Sequence, residues 1–113
     1  MAYSMTKIEP KQIDIVELHD AFTIMEILAY EDLGFCEKGK GGKFVSQNNI
    51  SINPRGGLIG TGHPLGATGV AQTVEICEQL KGIAGKRQIK GCKRGLVHNM
   101  SAAGSSSLVL ILS

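Results

Sequence analysis

The sequence predicts an α/β domain: a mixed sheet flanked by helices. Three observations carry that reading. A short β-branched run lies near the start, two runs with helical spacing follow it, and two further apolar runs joined by small residues close the chain. With 113 residues, 42% hydrophobic and 19% charged, the composition is that of one globular domain over residues 1–113.

Residues 13–18 (IDIVEL) are short and mostly apolar, with Pro10 before them and His19-Asp20 after, which predicts a buried strand. Over residues 21–33, Phe22, Met25, Leu28 and Ala29 recur at helical spacing, widened by Ile24 and Ile27. Asp20 stands at the expected N-cap and Gly34 at the expected stop. Residues 36–51 (CEKGKGGKFVSQNNIS) turn polar and glycine-rich, predicting a surface excursion with a short strand at residues 43–45. Residues 53–69 (NPRGGLIGTGHPLGATG) contain six glycines, a density that permits tight turns and close backbone approach and opposes regular structure.

A second helix is expected over residues 66–80, with Val70, Thr73, Val74, Cys77 and Leu80 as its buried stripe. Gln72, Glu75, Glu78 and Gln79 then face water, and Gly82 ends the helix. Six basic side chains, Lys81, Lys86, Arg87, Lys90, Lys93 and Arg94, follow as a solvated connection. Residues 95–100 (GLVHNM) and 107–112 (SLVLIL), linked by residues 101–106, predict an antiparallel hairpin whose second strand is fully buried.

Composition narrows the partners. A net charge of +2 and 4% aromatic residues give no signal for nucleic-acid binding. No stretch approaches the ~18 apolar residues of a membrane helix, and residues 1–10 hold no signal-like apolar core. Cys36, Cys77 and Cys92 are odd in number and show no CxxC spacing, so neither a disulfide framework nor a zinc site is expected. Reduced thiols fit a cytoplasmic protein without metal or bound cofactor. Cys36 and Cys77 read as small apolar fillers, and only Cys92, beside Lys93 and Arg94, has neighbours that would lower a thiol pKa.

Chemistry points to the histidines. His19 follows a strand, His63 sits in the glycine-rich loop before a helix, and His98 lies within a late strand. In Gly62-His63-Pro64 a residue without bulk precedes the imidazole and a fixed φ follows it, which aims the ring and leaves room for a substrate.

Four ordered blocks, His19-Asp20-Ala21-Phe22, Asn53-Pro54-Arg55-Gly56-Gly57, Gly62-His63-Pro64-Leu65-Gly66-Ala67-Thr68-Gly69 and the small-residue hairpin after His98-Asn99, closely resemble the C-terminal part of thiolases. The branch they resemble is that of archaeal and sterol-carrier-protein-type thiolases, often labelled nonspecific lipid-transfer proteins. The resemblance implies a half-domain with a mixed five-stranded sheet, packed against a homologous N-terminal half. It also implies that His63 hydrogen-bonds a nucleophilic cysteine of that half and helps polarise the thioester oxygen, while His19 anchors a water serving the same oxyanion hole.

Departures from the pattern matter as much. Where many thiolases carry an acid/base Cys-x-Gly, this chain has Asn99-Met100-Ser101, and Ala21 stands where sterol-carrier-type enzymes place a cysteine. Ser101 retains a backbone N–H for an oxyanion. His98 is one residue from the replaced cysteine and so points to the opposite face of the strand. Residues 1–11 resemble the end of the helix preceding IDIVELHD, so the family's first strand is expected to be missing and a sheet edge open to another chain.

The resemblance therefore implies a half or subunit of an acyl-CoA C-acyltransferase, with acyl-CoA or CoA as substrate and a nucleophilic cysteine on a separate N-terminal polypeptide. A homo-oligomer and an OB-fold accessory protein are further expected partners; nucleic acid and membrane are not. A non-catalytic truncated module and a subunit of a thiolase-fold aldolase are the competing readings. No long apolar lining supports direct lipid carriage.

Overall fold

The computed structural model describes residues 1–47, 50–101 and 103–113; Asn48 and Asn49 of the predicted excursion and Ala102 of the predicted turn lie outside them. Along the chain stand α1 (Ala2–Thr6), β1 (Ile15–Glu17), α2 (Thr23–Asp32), α3 (Gly41–Gln47) and β2 (Ser51–Ile52). They are followed by α4 (Gly57–Thr61), α5 (Thr68–Lys81), β3 (Gly95–Met100) and β4 (Ser107–Leu112).

β-Branched Ile15 and Val16 begin a strand whose three residues are all buried. β1 runs parallel to β2, with Ile15 opposite Ser51, and parallel to β3, with Ile15 opposite Gly95. β3 pairs antiparallel with β4 from Gly95↔Leu112 to Met100↔Ser107, giving the order β2-β1-β3-β4. The mixed sheet flanked by helices is as expected, with four strands among the described residues. The two-residue β2 has too little sequence for a strand signal and is held by the Ser51 N–H on the Asp14 carbonyl and the Asn53 N–H on the Val16 carbonyl.

α2 and α3 pack over one face. Val16, Leu18, Ala29, Tyr30, Leu33 and Leu96 form its core, with Phe44 of α3 against the Tyr30 ring at 5.1 Å. α5 crosses the other face, where Ile15, Ile76 and Val97 are the buried apolar residues. Gly95 allows that crossing: a Cβ there would lie 2.3 Å from Ile76 Cγ2.

Several expectations are corrected. Residues 43–45 are helical, within α3; two apolar residues among glycines and lysines were too short a run to separate strand from helix. The N-cap of α2 is Phe22, not Asp20, whose carboxylate is engaged elsewhere. On α2, Phe22, Ile24 and Leu28 are at least half exposed, and burial falls on Ala29, Tyr30 and Leu33. β4 is not fully buried, since Leu108 and Leu110 reach the surface.

The largest reversal is in α5. Val70 is 65% exposed and Val74 49% exposed, whereas Gln72, Glu75 and Gln79 are buried to within 1%. The supposed water-facing residues lie against the sheet because they satisfy one another there. The Arg87 guanidinium donates to both Glu75 carboxylate oxygens, the Gln79 amide donates to Glu75 Oε1, and the Asn99 amide donates to Gln72 Oε1. Burial pushes the Glu75 carboxyl up, but Arg87 and Gln79 outweigh it and hold the pKa below the usual carboxylate value. Arg87 therefore leaves the solvated basic connection to act as a structural ion-pair partner.

Candidate active site

Two segments converge at the end of β1. In the first, the strand runs out at Glu17, and the Leu18 N–H, with no further strand to pair with, is donated to Asn53 Oδ1 at 2.7 Å. Asn53, just past β2 and on the segment that leads to α4, presents that oxygen from the left-handed region, at φ 47°, a conformation that Asn tolerates better than most side chains. His19 follows, only 2% exposed.

In the second segment, α4 leads into Gly62-His63-Pro64. Its Leu58 N–H is donated to Asp20 Oδ1 at 2.7 Å, so the carboxylate expected to cap α2 satisfies an N–H of α4 instead. Gly57 makes room for it: a Cβ there would lie 2.1 Å from Asp20 Oδ2, and its φ of +61° disfavours any side chain.

The two segments bring His19 and His63 together, ring centroids 4.8 Å apart and planes at 85°, edge to face. Thr68, at the start of α5, sets the orientation of His63. Its hydroxyl donates to the Pro64 carbonyl at 3.1 Å and lies 2.8 Å from His63 Nδ1. With its proton committed to Pro64, the hydroxyl oxygen accepts from Nδ1–H, which leaves the lone pair of a neutral His63 on Nε2. Burial lowers the pKa of His19, as does the neighbouring His63, with Asp20 opposing; its Nδ1 is buried without a partner. Both effects favour the neutral form of His19, while the hydrogen bond at Nδ1 leaves Nε2 of a neutral His63 as the nitrogen with a free lone pair.

His63 also lines an open cleft of about 560 Å³ shared with Leu65, Asn99, Met100, Ser101 and Ser107. The structure therefore joins His63, Asn99 and Ser101, the last two at the places of the family's Cys-x-Gly. Asn99 is tied by its amide to Gln72, across the sheet from His98. His98 turns toward α2, with Nε2 3.1 Å from Ser107 Oγ and a pKa lowered by burial and then by His19. The expectation for Ser101 needs correcting: its N–H is donated to the Ser106 carbonyl at 3.0 Å, closing the hairpin, so an oxyanion would have to displace that bond.

No cysteine lines the cleft. Cys36 packs against the α2-side core, where burial raises its pKa. Cys77 lines an outward groove on α5. Cys92 is also raised, by burial and by Asp14, against the lowering that Lys93 and Arg94 suggested; Asp14 is the nearer charge because its carboxylate accepts their backbone N–H groups. Among the described residues, no group of three His, Cys, Asp or Glu could hold a metal ion, and no helix is long and apolar enough to cross a membrane.

Sequence reasoning singled out both histidines but missed Asn53, Thr68 and the true partner of Asp20. The available signals were an Asn closing a strand and a Thr five residues past a His.

Comparison with known proteins places this geometry. Residues 1–113 match the family model described as thiolase C-terminal domain-like. Acetyl-CoA acetyltransferase of Methanothermobacter thermautotrophicus is 49% identical, over 99% of this chain and 31% of its own length. Sterol carrier protein 2 of Oryctolagus cuniculus is 48% identical, over 96% of this chain and 21% of its own. Among solved structures, an Ltp2-ChsH2(DUF35) aldolase superposes with a TM-score of 0.77 at 23% identity, over 86% of this chain and 26% of that one, which shows a shared fold. The chain thus spans less than a third of the length of these relatives.

Proposed function

The chain belongs to the thiolase C-terminal domain-like family, and on that premise we propose that it is the histidine-bearing half of an acyl-CoA C-acyltransferase whose nucleophilic cysteine is supplied by another polypeptide. The observation that carries this reading is the His19–His63 pair, with the basic Nε2 of His63 beside a cleft that contains no thiol of its own.

The chemistry follows from that atom. His63 Nε2 takes the proton of an incoming cysteine thiol, and the thiolate attacks the carbonyl carbon of an acyl-CoA. A carbon–sulfur bond to the protein forms and the carbon–sulfur bond to CoA breaks, with the imidazolium returning its proton to the departing CoA sulfur. Neutral His19, packed edge-on, restricts the His63 ring and keeps a second positive charge out of the site.

The partner would seat on the outer face of α5. Leu65, Val70, Val74, Cys77, Leu108 and Leu110 line an open, mostly apolar groove there of about 680 Å³. That the relatives extend well beyond the matched segment supports a further thiolase segment as its occupant.

The test mixes this chain with a separately expressed N-terminal thiolase segment bearing the nucleophile and with acetyl-CoA. Intact-mass spectrometry should show one acetyl group on the partner's cysteine, and His63→Ala should slow its appearance at least ~100-fold, the usual cost of losing a general base. Equal acylation by His63→Ala would overturn the assignment. Aldehyde or ketone release from a β-hydroxyacyl-CoA, without an acylated cysteine, would establish the aldolase reading that a thiol-free cleft also fits.

A further inference from the structure

The contacts between the two segments are reciprocal. Asn53, on the second segment, accepts the Leu18 N–H of the first, and Asp20, on the first, accepts the Leu58 N–H of the second, both at 2.7 Å. His19 lies between Leu18 and Asp20 in the chain, and His63 follows α4 directly. We propose that Asp20 and Asn53 are positioning residues: a two-way side-chain clamp that holds the His19 ring edge-on to His63 without touching substrate.

Four features support this beyond ordinary loop packing. Each acceptor binds a backbone N–H that regular structure leaves unpaired, Leu18 past the end of a strand and Leu58 in the first turn of a helix, so each side chain satisfies a donor its own element cannot. On the first segment the two bonded groups, the Leu18 N–H and the Asp20 carboxylate, flank His19, one residue before it and one after. Asp20 in this position is compatible only with a glycine at Gly57, since any Cβ there would collide with the carboxylate. Asn53 adopts a left-handed backbone to present its oxygen, a conformation that local sequence does not favour for most side chains. A single acceptor would fix the distance between the segments; two acceptors pointing in opposite directions also fix their rotation, and an edge-to-face ring contact depends on both.

The inference rests on His19 and His63 being the working pair, yet its test needs no acyl transfer, so the two can fail separately. In the full 113-residue chain, nuclear Overhauser contacts between the two imidazole rings report the clamp. The β3–β4 cross-strand contact between His98 and Val109 reports the fold. Asp20→Ala and Asn53→Ala should each abolish the ring–ring contact while leaving the cross-strand contact. Asp20→Asn, which keeps an acceptor oxygen without the charge, should preserve the ring contact, although the titration midpoint of His19 falls in both Asp20 variants because Asp20 raises it. A purely structural role predicts no such split. An undisturbed ring contact in Asp20→Ala, or its loss in Asp20→Asn, would overturn the proposal. If the alanine variants do not fold, amide exchange in the unaltered chain decides: protection of both Leu18 and Leu58 N–H supports the clamp, and exchange of either at the rate of a free amide refutes it.

Discussion

Beneath α2 the sheet meets Leu18, Ala29, Tyr30, Leu33 and Leu96, a dry apolar core, whereas beneath α5 it meets Glu17, Gln72, Glu75 and Gln79, with only Ile15, Ile76 and Val97 as buried apolar neighbours. Other apolar residues of α5, Val70, Val74 and Cys77, face outward. α2 thus turns its most apolar contacts inward, whereas α5 turns two valines outward, onto the face where the proposed partner would seat. The histidine pair is built near the start of α5, where Thr68 meets His63. A site completed by the proposed partner is expected there and not under α2.

The largest effect should come from the dry side. Leu96 is fully buried between β1 and the α2 core, and Leu96→Ala removes three carbons that neighbouring side chains cannot replace. Loss of ~2–5 kcal/mol in urea unfolding is expected. A loss below ~1 kcal/mol would mean that this core is as loosely packed as the α5 side, and the contrast between the faces would fall.

Glu17 tests the polar side. It is fully buried, with Oε1 accepting the Arg55 N–H at 3.4 Å and Oε2 without a partner, and burial raises its pKa to about 7. In the unfolded chain its pKa is ordinary, so between about 4.5 and 7 the folded state binds the extra proton. Stability therefore rises as pH falls through that window and is lost above it. Glu17→Gln should remove this slope and, at pH 8, stabilise the chain by as much as ~3 kcal/mol. Buried His19 and His98 act oppositely, because their lowered pKa values favour the neutral rings and remove stability as pH drops below the usual histidine range. The difference between wild-type and Glu17→Gln curves cancels the histidines and isolates the carboxyl. Parallel curves would show that Glu17 has found water or a partner.

Much of this was legible in the sequence, and what was not has physical causes. The IDIVEL, GLVHNM and SLVLIL runs marked three strands, because β-branched runs between turn residues identify themselves locally. His19 and His63 were likewise marked by the motifs around them. The orientation of α5 was not legible, since an apolar stripe predicts burial only against a surface that the chain itself supplies. Gln72, Glu75 and Gln79 are buried through partners at Asn99 and Arg87, which no periodicity within residues 68–81 reveals. Asp20 was misread for the same reason: a helix three residues on is the local choice for a carboxylate, and its actual donor, Leu58, is 38 residues away.

The smallest effect on stability should fall on the outer face of α5, and its smallness is informative. Val70 and Val74 sit one helical turn apart in the apolar groove, 65% and 49% exposed, so an aspartate at either keeps its hydration and buries no charge. Val70→Asp and Val74→Asp should change unfolding free energy by no more than ~0.5 kcal/mol, the range of ordinary surface substitutions. In complex with an N-terminal thiolase segment the proposed interface would bury the same carboxylates, and association should weaken ~100-fold or more by titration calorimetry, the cost of desolvating a charge at an interface core. If instead the substitutions destabilise the isolated chain by several kcal/mol and leave association unchanged, the groove belongs to the chain's own core and α5 is an outer helix like α2.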